Sequence, residues 1–108
     1  MPETYCVILT TTGSQDEANH LARLLVSRKL AACVQCLPMT SFYIWKEAVQ
    51  NEAEVLLLIK TCAHLYAQVQ AAIVENHGYE IPEVIQLPIV QGLPGYLGWI
   101  GANTLPEI

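Results

Sequence analysis

The chain predicts an α+β sandwich of the split βαβ, ferredoxin-like type, with strands and helices in the order β-α-β-β-α-β and an additional helix at the C-terminus. Three observations carry this. Runs of β-branched and aromatic residues recur four times; two intervening stretches repeat apolar residues at helical spacing; and the second and third strand-like runs follow one another with no helix between them. At 108 residues the chain suits one domain spanning 1–108, because two independent cores would each be too small to bury enough surface.

The first strand is expected over YCVILTTT, residues 5–12, which closes at Gly13. Ser14 and Glu17 then fit the S-x-x-E capping box, in which each side chain satisfies the other's free backbone N–H. Ala18, Leu21, Ala22 and Leu25 form one apolar stripe, and Arg28 and Lys29 suit the negative pole of the helix dipole, so the first helix is expected to reach about residue 29. Residues 31–45, AACVQCLPMTSFYIW, read as a strand in which Pro38 fits an edge position or a bulge. The polar KEAVQNE stretch, 46–52, is expected to turn the chain, and AEVLLLIKT, 53–61, to return as a strand covered on both faces. Leu65, Val69, Ala72 and Ile73 mark a second helix over 63–76, and 83–87, bracketed by Pro82 and Pro88, is the fourth strand. Tyr96, Leu97, Trp99 and Ile100 predict a short last helix that docks on a neighbouring molecule, since these side chains are costly to leave in water.

Charged residues make up 14 % of the chain, against about 25 % in ordinary soluble proteins, and 53 % are hydrophobic. Such a composition predicts a surface partly hidden against copies of the same chain. The net charge of −5 opposes phosphate backbones and argues against a nucleic-acid partner. No apolar run approaches the roughly 18 residues of a membrane span, and the opening Met-Pro-Glu-Thr-Tyr lacks a basic export signal, so a cytoplasmic location without membrane contact is expected. In that compartment Cys6, Cys33, Cys36 and Cys62 are read as reduced thiols that pack as small hydrophobes.

Cys33-x-x-Cys36 has the spacing of half a metal site or a redox pair, but strand residues three apart point to opposite faces, which favours packing roles. Lys60 ends an apolar strand, where its ammonium either reaches water along the methylene stem or is held in a cleft by a carboxylate. His20 and His64 have no second ligand type at metal spacing and read as surface residues. No phosphate-cradling glycine loop, Ser-His-Asp set or H-E-x-x-H motif occurs, so no enzyme activity is expected.

HGYEIPE, 77–83, has two readings. Gly78 in the left-handed conformation would end the second helix and Pro82 would keep it from resuming, with Glu80 and Glu83 merely solvated. That account leaves His77 and Tyr79 unexplained, and imidazole, phenol and carboxylate are the groups that metal and acid/base sites use.

The blocks KLAACVQCLP (29–38), SFYIW (41–45), EVLLLIKT (54–61), HGYEIPE and GYLGWI (95–100), in this order and spacing, resemble the CutA (CutA1) divalent-cation-tolerance family. The resemblance spans nearly the whole chain. It implies a protomer similar in architecture to PII signalling proteins, a tight homotrimer, and involvement in tolerance of copper and other divalent metals without an established reaction. Carried over by position, it makes Cys33, Trp45, Lys60, Tyr79, Glu80 and Glu83 candidates for an inter-subunit ligand cleft, with Pro82 in the same block, and His77 and Cys33 candidates for metal binding. Copper or another divalent cation, weakly bound, is the implied cofactor, and a PII-like small-ligand or partner-binding module is the alternative. The chain departs from the family pattern at Ala48, where a lysine is usual, at Gly78, where proline is common, and at Thr10 and Asn76, where copper-binding members are thought to place a cysteine and a second histidine. One imidazole alone does not fix Cu(II) tightly, because copper normally takes several nitrogen or oxygen donors.

Overall fold

A computed structural model describes residues 4–108. Strand β1, Tyr5–Thr12, separates two environments by simple alternation: Cys6, Ile8 and Thr10 are fully buried on one face, while Tyr5, Val7 and Leu9 are half-buried on the other. Helix α1, Gln15–Ser27, covers the first face with Ala18, Leu21 and Leu25. Its Ser14 side chain accepts the Glu17 N–H at 3.1 Å, as the capping pattern predicts. The reciprocal half of the box does not form. Glu17 turns its carboxylate toward Gly78 instead.

The first helix stops two residues earlier than its pattern suggests. Lys29 takes φ 57°, which lets its N–H reach the Val26 carbonyl and the Leu30 N–H reach the Leu25 carbonyl, both at 3.0 Å. This is a Schellman closure with a lysine where glycine is usual, and it plants the apolar Leu30 in the core.

Strands β2, Cys33–Trp45, and β3, Ala48–Cys62, form the predicted hairpin, but its turn is Lys46-Glu47 alone rather than the whole of 46–52. Both turn residues have positive φ, 51° and 67°, the geometry a two-residue hairpin needs to match strand twist. The polar residues after them belong to β3. They read as loop because this part of the strand is exposed and buries no apolar face.

The sheet order is β2-β3-β1-β4, with every neighbouring pair antiparallel. This is the split βαβ topology predicted from element order. β2 is an edge strand, which tolerates Pro38 in register opposite Val55. β1 pairs with β3 only from Cys62 back to Val55, so the seven hairpin pairs from Met39–Glu54 to Trp45–Ala48 have no third strand beside them. They project as a two-stranded arm roughly 20 Å long at ordinary strand rise. The arm accounts for the elongated 46 × 25 × 21 Å protomer.

The predicted second helix begins with a 3-10 turn, Ala63–Leu65, before α2, Tyr66–Glu75, whose Val69, Ala72 and Ile73 complete the core with α1. Strand β4 is Ile85–Pro88, shorter than expected and starting two residues later. Helix α3, Pro94–Ala102, opens with its proline in the first turn, where the missing N–H costs nothing. It lies on the face opposite α1 and α2: Tyr5, which alternates with core residues, lies so close to Gly101 that a Cβ there would come within 3.3 Å of its hydroxyl, and Lys60 reaches Tyr96. Ile100 is fully buried within the protomer, so α3 docks partly on its own sheet rather than only on a neighbour. Tyr96 and Trp99 stay partly exposed.

Candidate functional site

The HGYEIPE segment leaves α2 and crosses the end of β1 to reach the face of the sheet opposite α1 and α2. Asn76 closes the helix by returning its side-chain amide to the Ala72 carbonyl at 2.8 Å. Gly78 therefore does not supply a left-handed stop, and no described glycine has positive φ. Its small size matters in another way, since a Cβ at Gly78 would come within 3.2 Å of Glu17 Oε2.

His77 binds the segment to the sheet. Its Nε2–H donates to the Thr11 carbonyl, and its Nδ1 accepts the Tyr79 N–H at 3.0 Å, an arrangement that only the neutral Nε2-protonated ring satisfies. The Tyr79 ring lies 4.7 Å from that imidazole and sends its hydroxyl to Glu54 Oε2 at 2.8 Å. Burial would raise the Glu54 pKa, but hydrogen bonds from Ser41, Tyr79 and Thr11, with His77 nearby, outweigh it and hold the carboxyl below its ordinary value. The Tyr79 phenol is pushed well up, first by burial and then by the Glu54 carboxylate it bonds.

Between this segment and the arm lies a cleft of about 760 Å³. The arm contributes Glu52, Glu54, Tyr43 and Trp45, and the segment contributes Tyr79, Glu80 and Glu83. Met39, Ser41 and Tyr43 pair across the hairpin with Glu54, Glu52 and Gln50, so these polar groups share one face of the arm. Among the described residues lining the cleft there is no lysine or arginine. The walls are aromatic and the charge is all of one sign.

Four of the sequence-predicted residues, Trp45, Tyr79, Glu80 and Glu83, thus meet in one cleft. Cys33 and Lys60 do not join them. They pair directly with each other across β2 and β3, at the level of Val7 rather than Thr11, about 13 Å further along the sheet by strand rise. Lys60 finds no carboxylate there: its Nζ donates to the Tyr96 hydroxyl at 3.2 Å and sits 5.3 Å from that ring, which stacks on Trp99. His77 and Cys33 are correspondingly far apart within a protomer. Among the described residues no three His, Cys, Asp or Glu side chains converge as metal ligands.

The other candidates are placed as follows. Cys33 and Cys36 pair with Lys60 and Leu57, on opposite faces, as the strand argument requires. Burial raises the Cys36 thiol, and burial followed by the neighbouring Cys62 pushes Cys6 up to about 11, so neither is a ready nucleophile. His20 is exposed, and His64 bonds the Leu105 carbonyl at 2.9 Å. Thr10 points into the core and leaves its hydroxyl without a hydrogen-bond partner among the described residues. Sequence reasoning passed over Ser41, Tyr43, Glu52 and Glu54, although their i, i+2 spacing along two strands was visible once the turn was placed at Lys46-Glu47.

Comparison with known proteins agrees with the fold. The profile of the family described as CutA1 divalent ion tolerance protein matches residues 6–103. The divalent-cation tolerance protein CutA of Thermus thermophilus is 39 % identical over 99 residues, covering 91 % of this chain and 96 % of that protein. A CutA homologue of Xenopus laevis is 47 % identical, and the match takes in 90 % of this chain but 64 % of the longer relative. The crystal structure of CutA1 from Oryza sativa superposes with a TM-score of 0.94 at 38 % identity, over 97 % of each chain. Sequence and architecture agree along almost the whole length, and the chain belongs to the CutA1 divalent ion tolerance family.

Proposed function

We propose that this chain serves in divalent-metal tolerance as a cytoplasmic homotrimer that binds its ligand without transforming it, and that the ligand is a weakly held cation, copper or another divalent ion. The cleft carries the reading: Glu52, Glu54, Glu80 and Glu83 line it with no basic residue among the described lining groups. Walls of low polarity focus such a potential and concentrate cations. The names of the relatives, tolerance proteins rather than enzymes, support the same direction. Weak rather than tight binding follows from the donor geometry. His77 must give up its bond to the Tyr79 N–H to free Nδ1, and Cys33 lies at the other end of the face. That Cys6, Cys33, Cys36 and Cys62 form no disulfide with one another accords with a reducing compartment.

Assembly is supported by what the protomer leaves uncovered. Phe42, Ile44 and Val49, on the side of the arm facing away from the Glu52–Glu54 face, are 66–71 % exposed, and on the opposite face of the sheet Leu37, Ile85 and Leu87 are half-exposed.

Calorimetric titration of Cu²⁺ and Mn²⁺ into reduced, chelator-free protein tests the cation site. The double variant Glu80→Gln/Glu83→Gln is expected to weaken binding at least about fivefold by removing half of the cleft's carboxylates. Loss of copper in His77→Ala with full binding retained in the double variant would move the site to the imidazole. Unchanged binding in both variants overturns the assignment.

A further inference from the structure

The cleft offers a bare ion no more than weak, dispersed contacts. A single divalent cation needs several donors within bonding distance of one point, yet no such group of His, Cys, Asp or Glu converges among the described residues. The carboxylates are instead spread along the walls. Glu52 and Glu54 sit two strand positions apart on one face of the arm, roughly 7 Å between Cα atoms, and Glu80 and Glu83 lie on the facing segment. The cavity of about 760 Å³ is in the range of small-molecule sites, and between the carboxylates it presents aromatic surface, with Trp45 and Tyr43 each 38 % exposed. Exposed tryptophan and tyrosine attract ammonium groups and cover methylene chains, two contacts a hydrated metal ion makes poorly.

Dispersed negative charge, aromatic walls and the absence of a lining cation together describe a ligand with separated positive charges on an apolar body. We propose that the cleft binds linear aliphatic polyamines, with their ammonium groups at the dispersed carboxylates and Trp45 against the methylene chain. The inference rests on the reading of this cleft as a cation site and names a second class of cation that takes it in competition with divalent metals. Glu54 is already bonded by Tyr79 and Glu52 by Tyr43, so Glu80 and Glu83 are the carboxylates left to face the ammonium groups.

The test is calorimetry of spermidine and, separately, Mn²⁺ at about 150 mM salt, where loose surface attraction is screened. The proteins are wild type, Trp45→Ala and Glu80→Gln/Glu83→Gln, each first checked for folding by circular dichroism. Spermidine affinity is expected to fall at least about fivefold in both variants, corresponding to about 1 kcal/mol, while Mn²⁺ affinity falls only in the carboxylate variant. Mn²⁺ binding without spermidine binding overturns the polyamine assignment and leaves the metal reading intact. Absence of both overturns the two together. Equal spermidine binding by wild type and Trp45→Ala also overturns it, because the aromatic wall is what distinguishes a polyamine site from a patch of negative charge.

Discussion

Thr10 shows how far a single position departs from what its neighbours suggest. It stands where the family resemblance implies a metal ligand, yet its side chain faces the core and its hydroxyl lacks a partner among the described residues. Leaving such a group unsatisfied costs about 1–3 kcal/mol, so Thr10→Val, with the same branching, is expected to stabilise the fold by about 1 kcal/mol in denaturant unfolding. Tyr79 works in the opposite sense, as a donor that keeps Glu54 ionised. Tyr79→Phe is expected to cost about 1–2 kcal/mol at neutral pH because it leaves a half-buried carboxylate short of one hydrogen bond. The pH dependence has a definite sign. Glu54 has its pKa lowered in the folded state, so its contribution is present above the unfolded carboxylate value of about 4.3 and is lost as pH falls through the folded value. Tyr79 has its pKa raised, so its contribution is complete below about pH 10 and is lost as pH rises through the folded value. Stability measured against pH should therefore lose its alkaline limb and show a shallower acid limb in Tyr79→Phe. His77 was legible as a residue that a helix stop alone does not require. Its two hydrogen bonds show that the fold does use it, to hold the segment on β1.

At the scale of elements, the arm separates what pattern reveals from what it hides. The apolar half of β3 was plain because Val55, Leu57 and Ile59 alternate into the core between two covered faces. The outer half was read as a turn because Gln50, Glu52 and Glu54 are polar, and polarity normally marks a loop. Here those residues form one polar face of a ribbon whose other face is apolar. The true turn lacked the Asn-Gly or Asp-Gly that announces a two-residue hairpin. Lys46 and Glu47 hold left-handed conformations that cost L residues roughly 1–2 kcal/mol each. Replacing them with Asn-Gly is expected to raise stability by about 1 kcal/mol without moving the register, readable as a higher thermal midpoint and unchanged amide protection in β2 and β3.

For the whole molecule the open question is what covers the arm. Phe42 is 70 % exposed in the protomer, so its replacement by aspartate should leave the protomer's own core almost untouched. If copies pack on this face, Phe42→Asp is expected to shift light scattering from the trimer to the protomer mass while circular dichroism is retained. A wild-type protein that scatters as a single protomer would count against assembly itself. The distribution of charge has a similar reach. Ten acidic and five basic residues give no more than a small net charge, but the fold gathers Glu52, Glu54, Glu80 and Glu83 in one cleft and keeps Lys60 on Tyr96 at the far end of the same face.

From the sequence alone came the element order, the split βαβ topology, Pro38 as an edge or bulge residue, the opposed Cys33 and Cys36, and the singling out of HGYEIPE. These are matters of period and local geometry, which a chain carries in its spacing of apolar residues and its caps. Only the tertiary structure decided that Asn76 and not a left-handed Gly78 ends the helix, that His77 is engaged at both nitrogens, and that Glu52 and Glu54 face Glu80 and Glu83. Those facts depend on a hairpin register and on a segment crossing from one face of the sheet to the other. Contacts between residues some thirty positions apart leave no periodic trace in the residues that make them.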